Sequence, residues 1–328
     1  MGKYSLKDAK VLVIGGAGFI GSHLVKKLLE NPVKEVIIYD NFTRGKLENI
    51  KESLQDKRCY IYPYGGDVRE IDVLNKAMEG VDYVFHLAAM WLLHCKDFPR
   101  TAFDVNIAGT FNILESCVNS GVKKLIFSSS ASVYGDAVEV PMTEDHPFNN
   151  KNFYGATKIS GEAMCTAFND RYGLNVIGLR YANVYGPNQD QKAVYTGVIP
   201  IMLNKIDSGE PITINGDGSQ AYDFIYVEDV AEANIRALES DVNFGFYNVG
   251  TGVQTSIKEL VNLILKLTGA KNEIIYKPYP PDDARQFVKN RILSPVKAEK
   301  ELGFKYKYSL EEGLKKLIEW RKLNKEGD

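Results

Sequence analysis

The feature that most constrains this chain is a short apolar, β-branched run, Lys10–Ile14 (KVLVI), that breaks into Gly15-Gly16-Ala17-Gly18. A strand entering a tight turn is the natural reading. After the turn, Ile20, Leu24 and Leu28 recur every fourth residue, with Val25 and Leu29 beside them. That spacing makes one apolar face of a helix. Gly15, Gly18 and Gly21 therefore join a strand to a helix. Glycines there let the backbone turn sharply and approach a pyrophosphate closely. The helix N-terminus aims unpaired N–H groups and about half a positive charge at the same place. Glycine spacing alone is weak, since ligand-free turns carry it too.

The surroundings strengthen it. Glu35–Tyr39 (EVIIY) reads as a second buried strand, and apolar strands follow at Tyr60–Tyr62, Tyr83–His86, Lys124–Phe127 and Val176–Leu179. Helical stretches lie between most of them, notably Ala102–Val118 and Phe153–Tyr172. This alternation predicts an α/β fold with a Rossmann-type, doubly wound parallel sheet. With 328 residues the chain is long for one core. Past residue 180 the pattern becomes mixed and is punctuated by Gly186-Pro187-Asn188, Gly209-Glu210-Pro211 and Gly216-Asp217-Gly218. The expected organisation is a dinucleotide-binding domain over 1–180, rejoined by 222–250. A smaller α/β substrate domain would comprise 181–221 and 251–328.

Composition excludes several classes. The net charge is −2, from 40 basic and 42 acidic residues, so bulk charge suggests neither a nucleic-acid nor a membrane partner. No run approaches the ~20 apolar residues that span a bilayer, and no signal peptide is expected. Four cysteines without a Cys-x-x-Cys pair predict a reducing, cytoplasmic setting rather than a disulfide framework. The four histidines lack metal-ligand spacing, so no metal site is expected.

Individual residues then suggest chemistry. Asp40 ends the second strand, 19 residues after Gly21. A carboxylate there accepts hydrogen bonds from ribose hydroxyls and repels a 2′-phosphate, which favours NAD over NADP. Arg44 stands against that preference, because an arginine can meet such a phosphate. Asp67 follows the third strand and is either an adenine ligand or a turn residue. Tyr154 and Lys158 stand four apart and share a helix face. A tyrosine with a pKa near ~10 needs roughly 4 kcal/mol of help to ionise at pH 7, and a lysine ammonium is one source. Ser128-Ser129-Ser130 follow a strand, at the end of a parallel sheet where ligands bind.

Together GGAGFIGSH (15–23), YDN (39–41), GDV (66–68), HLAA (86–89), SSSASVYG (128–135), YGATK (154–158), LRYANVYGP (179–187) and GDGSQAYDFIYVEDVA (216–231) carry a resemblance. Over roughly Val11–Phe304 the chain resembles the extended short-chain dehydrogenases, most closely the NAD-dependent nucleotide-sugar epimerases. The resemblance implies NAD as cofactor and a nucleotide sugar as substrate. It makes Tyr154 the acid/base, Lys158 the residue that orients the nicotinamide ribose and lowers the tyrosine pKa, and Ser130 the partner of the reacting sugar oxygen. Along the cofactor it places Gly15, Gly18, Phe19, Ile20, Gly21, Asp40, Asn41, Thr43, Arg44, Gly45, Asp67, Val68, Leu87, Ala88, Ala89, Asn106, Ser128 and Tyr181. Toward the substrate it places Trp91, His94, Asn183, Val198, Tyr222, Arg285 and Arg291. Trp91 either stacks on a sugar or packs a helix start. A homodimer through Ala102–Val118 and Phe153–Tyr172 is also implied.

Two departures matter. Dehydratases of this kind follow the Ser/Thr with acid/base residues, whereas this chain has Ala131 and Ser132. That favours 4-epimerisation through a 4-keto sugar over 4,6-dehydration, with a non-catalytic dinucleotide-binding protein as a third reading. The diphosphate-binding arginine of the family is replaced by Tyr222, which leaves Arg285 or Arg291 to compensate.

Overall fold

The structure, a computed structural model, describes residues 2–190, 197–278 and 288–325. Its centre is a seven-stranded sheet in the order β11-β6-β5-β4-β1-β2-β3, every neighbouring pair parallel. The strands are β1 (Lys10–Ile14), β2 (Glu35–Tyr39), β3 (Cys59–Ile61), β4 (Tyr83–His86), β5 (Lys124–Ser130), β6 (Val176–Tyr181) and β11 (Phe244–Val249). The strands β5 and β6 run two or three residues past their expected ends at Phe127 and Leu179. Both are buried along almost their whole length, so hydrogen bonding continues where apolar character stops.

Helices cover both faces, which explains why the strands are near-continuous apolar runs. On one face Leu24, Val25 and Leu28 pack with Val230, Ala233 and Leu238. On the other, Leu74, Ile113, Leu114, Cys165 and Phe168 pack against Leu12, Val84 and Leu125. Lys124 ties the layers together. Its fully buried Nζ donates to the carbonyl oxygens of Ala237, Leu238 and Ser240 at 2.8, 3.0 and 2.9 Å. These carbonyls stand at the end of the helix Val227–Glu239, beyond its own backbone ladder.

The remaining strands are short: β7 (Asn183–Tyr185), β8 (Ile212–Asn215), β9 (Ala221–Tyr222), β10 (Phe224–Tyr226), β12 (Thr255–Ser256), β13 (Ile274–Lys277) and β14 (Asn290–Arg291). They pair as β10-β7, β13-β8 and β12-β9-β14 around a separate core that includes Ile199, Leu203, Phe224, Leu260 and Leu314.

The expected helix Ala102–Val118 is not uniform. A short helix, Pro99–Ala102, runs into a π-turn at Phe103–Ala108 and then into an α-helix, Gly109–Asn119. The widened turn lets Asn106 meet both backbone groups of Met90: Met90 N donates to Oδ1 at 2.7 Å, and Nδ2 donates to Met90 O at 3.0 Å. The helix Phe153–Tyr172 has its expected limits, with Asn152 Oδ1 accepting from Gly155 N and Gly173 in the left-handed region at φ 69°. Among the described residues, no helix is long and apolar enough to cross a membrane.

Candidate functional site

β1 pairs with β2 on one side and β4 on the other, so the connections diverge there and open a crevice at the strands' carboxyl ends. The register sets Ile14 beside Tyr39 and His86, then His86 beside Phe127, and Ser130 beside Tyr181. The residues just after each strand therefore meet along one edge. They line a cavity of about 470 Å³.

The cavity has the shape and chemistry of a dinucleotide cradle. Gly15 has φ +82°, and a Cβ there would lie 2.7 Å from Ala88 N. At Gly21 a Cβ would strike the Gly15 carbonyl. The helix Phe19–Leu29 begins here with no side-chain cap and no acidic residue in its first turn, leaving its N–H groups for an anion. Asp40 accepts from Ala17 N and Phe42 N, both at 2.9 Å, while burial pushes its carboxyl pKa up. A Cβ at Gly45 would lie 2.7 and 2.8 Å from the two Asp40 oxygens, so only glycine leaves that carboxylate accessible.

Every residue expected along the cofactor lines this cavity except Asn106. Asn106 is buried and fully engaged with Met90 and with Thr157 Oγ1. It acts on the cavity wall and not at its surface. Asp67 lines the cavity, but Arg69 grips its carboxylate at 2.9 and 2.6 Å, and that contact holds its pKa down. Trp91 and His94, assigned toward the substrate, line the same cavity. Trp91 stacks with Arg44, whose guanidinium carbon sits 5.4 Å from the ring centre. Lys46, Asn49, Asn188, Gln189 and Asp190 also line it, and Lys46 pairs with Asp190 at 3.7 Å. The Gly-Pro-Asn turn was the available signal for this part: Asn188 has φ 64° and donates to Ser22 Oγ at 3.1 Å.

At one end of the cavity stand Tyr154 and Lys158. A Cβ at Gly161 would lie 2.5 Å from the Phe127 ring, so glycine seats the helix Phe153–Tyr172 close against β5. Lys158 Nζ thereby reaches the Ser128 carbonyl at 2.6 Å and lies 5.6 Å from the Tyr154 ring centre. Burial lowers the lysine pKa to about 8. Burial raises Tyr154 to about 12, opposed by its hydrogen bond to Ser130 and by Arg291. Behind β5, Ser129 Oγ donates to Glu162 Oε1 at 2.5 Å. Glu162 also receives Arg180 Nε and Nη2 at 2.9 and 2.7 Å, in a buried pair that sequence reading did not single out.

Asn183 lies on β7, Tyr222 on β9 and Arg291 on β14, and Val198 begins the helix Val198–Ser208. None of these four lines the cavity. Arg285 lies outside the described residues.

A family model described as the NAD dependent epimerase/dehydratase family matches residues 11–250. A UDP-glucose 4-epimerase from Mycolicibacterium smegmatis is 33% identical over 314 residues, covering 95% of this chain and 98% of that one. The structure of a UDP-glucose 4-epimerase from Thermotoga maritima, solved with UDP-glucose, aligns with a TM-score of 0.88 at 38% identity, over 96% of this chain and 99% of that one. A dTDP-glucose 4,6-dehydratase from Streptomyces venezuelae, solved with NAD, aligns with a TM-score of 0.89 at 27% identity, over 97% and 98%.

Proposed function

Because the chain belongs to the NAD-dependent epimerase/dehydratase family, we propose that it inverts C4 of a nucleotide-activated hexose through a transient 4-keto sugar. One observation carries this reading. Tyr154 is hydrogen-bonded to Ser130 at the carboxyl end of β5, beside Lys158 and open to the cavity. The glycine cradle and Asp40 would hold NAD. When bound, NAD supplies the hydride acceptor and donor and the positive charge of its oxidised ring.

The chain's own groups handle the proton. Tyr154 takes the proton of the C4 hydroxyl and returns it after inversion. Ser130 steadies the C4 oxygen and the phenol together. Lys158, held by the Ser128 carbonyl, favours the phenolate.

Both epimerisation and 4,6-dehydration begin this way. The difference lies in the next two residues. Ala131 and Ser132 form a buried 3₁₀ turn, Ser132 N donates to Ser130 Oγ, and neither side chain is a general acid. Nothing at that position removes the C5 proton or protonates the C6 hydroxyl. The dehydratase of similar structure makes 4,6-dehydration the second reading. Incubation with NAD and a panel of UDP-, dTDP- and GDP-hexoses in heavy water separates them by NMR and mass. The expected product is a C4 epimer of equal mass, with no deuterium at C5 and no net NADH. A product lighter by one water, with a methyl signal, would establish dehydration.

Two further readings follow. Phe103, Phe111 and Phe153 are largely exposed along the helices Gly109–Asn119 and Phe153–Tyr172 and the π-turn before them, and so is Tyr172. Such a patch suits pairing with a second copy. All four cysteines are free and buried, which suits a reducing cytoplasm.

A further inference from the structure

Tyr154, Lys158 and Glu162 follow one another every fourth residue along the helix Phe153–Tyr172, so their side chains stand in one row. Each meets the end of β5: Tyr154 the Ser130 hydroxyl, Lys158 the Ser128 carbonyl and Glu162 the Ser129 hydroxyl. The proton chemistry above employs the first two and leaves Glu162, although buried, without a task. Arg180, beside Ser129 in the register of β5 and β6, grips the same carboxylate at 2.9 and 2.7 Å. Arg180 donates further to the Tyr134 hydroxyl and to Glu144 O at 2.7 and 3.0 Å. A buried ion pair adds little net stability over packed apolar side chains, so the fold alone does not account for this one. The surroundings of Lys158 supply another reason. Burial lowers the lysine to about 8, opposed by Cys95, Glu162 and Cys165. Burial also pushes the Cys95, Cys117 and Cys165 thiols and the Tyr181 phenol up, and the His86 imidazole down to about 3, so these neighbours are neutral at pH 7. Glu162 is left as the anion one helical turn from the ammonium.

We propose that Glu162 is a positioning residue of the active site: held by Arg180, it grips Ser129 to set the facing of the last residues of β5, and its charge keeps the Lys158 ammonium at the phenol. The rate measurements below rest on the epimerase reading, and the ionisation measurement does not. Gly161 seats the helix against Phe127, and Glu162 meets Ser129 two residues on. Residues two apart share one face of a strand, so the grip on Ser129 fixes which way its neighbours Ser128 and Ser130 turn.

The test uses NAD-loaded protein: wild type, Glu162→Gln, Ser129→Ala and Glu162→Gln/Arg180→Gln. Two quantities are followed against pH. One is kcat and KM for the UDP-, dTDP- or GDP-hexose that the wild type turns over fastest. The other is the ionisation of Lys158 by NMR of lysine-labelled protein, its signal assigned with Lys158→Met. Gln keeps an acceptor for Ser129 and loses only the charge. At the ~6 Å between side chains one turn apart and an effective dielectric of about 20, one charge moves its neighbour's midpoint by up to about two pH units. Glu162→Gln should therefore lower the Lys158 midpoint from about 8 by about one to two units. On the alkaline side, where the lysine has lost its proton, kcat should fall about 10- to 100-fold with KM unchanged, while the acid limb stays in place. The double variant also removes the opposing charge and should recover part of the shift. Ser129→Ala keeps the charge and loses the grip, so kcat should fall about tenfold at every pH with the lysine midpoint unmoved. If Glu162→Gln does not fold, the double variant, with a midpoint still below that of wild type, and Ser129→Ala carry the test. A pair that only holds the fold would lower the urea midpoint and leave kcat per folded site and the Lys158 midpoint as in wild type, and that result overturns the proposal. A wild type that turns over no nucleotide hexose overturns the epimerase reading, and the Lys158 midpoint in the variants then settles the role of Glu162 separately.

Discussion

Replacing Lys158 by Met removes one charge from the catalytic end and nearly preserves the side chain's length. At pH 7 a phenol with a pKa of about 12 is five units from ionising, or about 7 kcal/mol. Lys158 Nζ lies 5.6 Å from the Tyr154 ring centre. At an effective dielectric of about 20, that distance gives about 3 kcal/mol of attraction for a phenolate. This is about two pKa units, or roughly a hundredfold in rate. The rest must come from groups present only in the loaded site. The sign with pH follows from the lysine. Its pKa is lowered to about 8, so it is mostly charged at pH 7 and neutral above. Wild-type kcat should therefore rise with pH up to about 8 and level above it, because beyond that point each gain of phenolate is offset by a lysine losing its proton, and the Met variant should keep rising past 8. The assay is kcat against pH at saturating sugar nucleotide, with NAD occupancy checked separately. A Met variant within threefold of wild type at pH 7, with the same levelling near pH 8, would refute the assigned role of the ammonium.

Three other outcomes are expected. Gly45→Ala puts a methyl against both Asp40 oxygens, so NAD affinity should fall about tenfold or more by calorimetry; an unchanged value would detach Asp40 from the ribose. Glu162→Leu strands the buried Arg180 guanidinium and should cost about 3–5 kcal/mol in urea unfolding, with Glu162→Leu/Arg180→Leu costing less than the two singles combined. Asp at Phe111 and at Tyr172 together should halve the mass seen by light scattering, and a wild type that is already monomeric would end the dimer reading.

What could be read in advance was whatever local backbone geometry imposes. Gly15 and Gly21 are written in the sequence because no side chain fits where they stand, and Asp40 because strand length fixes its offset from them. Periodicity set Tyr154 and Lys158 on one helix face, and only the family resemblance gave that pair a role. What escaped depends on contacts between distant segments. Arg44 faces Trp91, 47 positions on, so neither residue announces the other. Asn106 was placed along the cofactor, but the π-turn that rotates it toward Met90 leaves no trace in apolar spacing. The Arg180–Glu162 pair joins β6 to the helix Phe153–Tyr172 across the back of β5, and long-range charge pairing has no sequence period.

The run Ser128-Ser129-Ser130 holds three identical letters with different employment. The carbonyl of Ser128 anchors Lys158, the hydroxyl of Ser129 turns back to Glu162, and that of Ser130 meets Tyr154. Deleting any one codon of the three yields the same protein, since no comparison of products can tell which serine was lost. That protein must still slip a segment of β5 by one residue, and a slip of one exchanges the two sides of a strand. The hydroxyl meeting Tyr154 would then be the one shaped to face Glu162. The repeat is thus a place where a single in-frame loss, nearly invisible in composition, exchanges front for back in the active site.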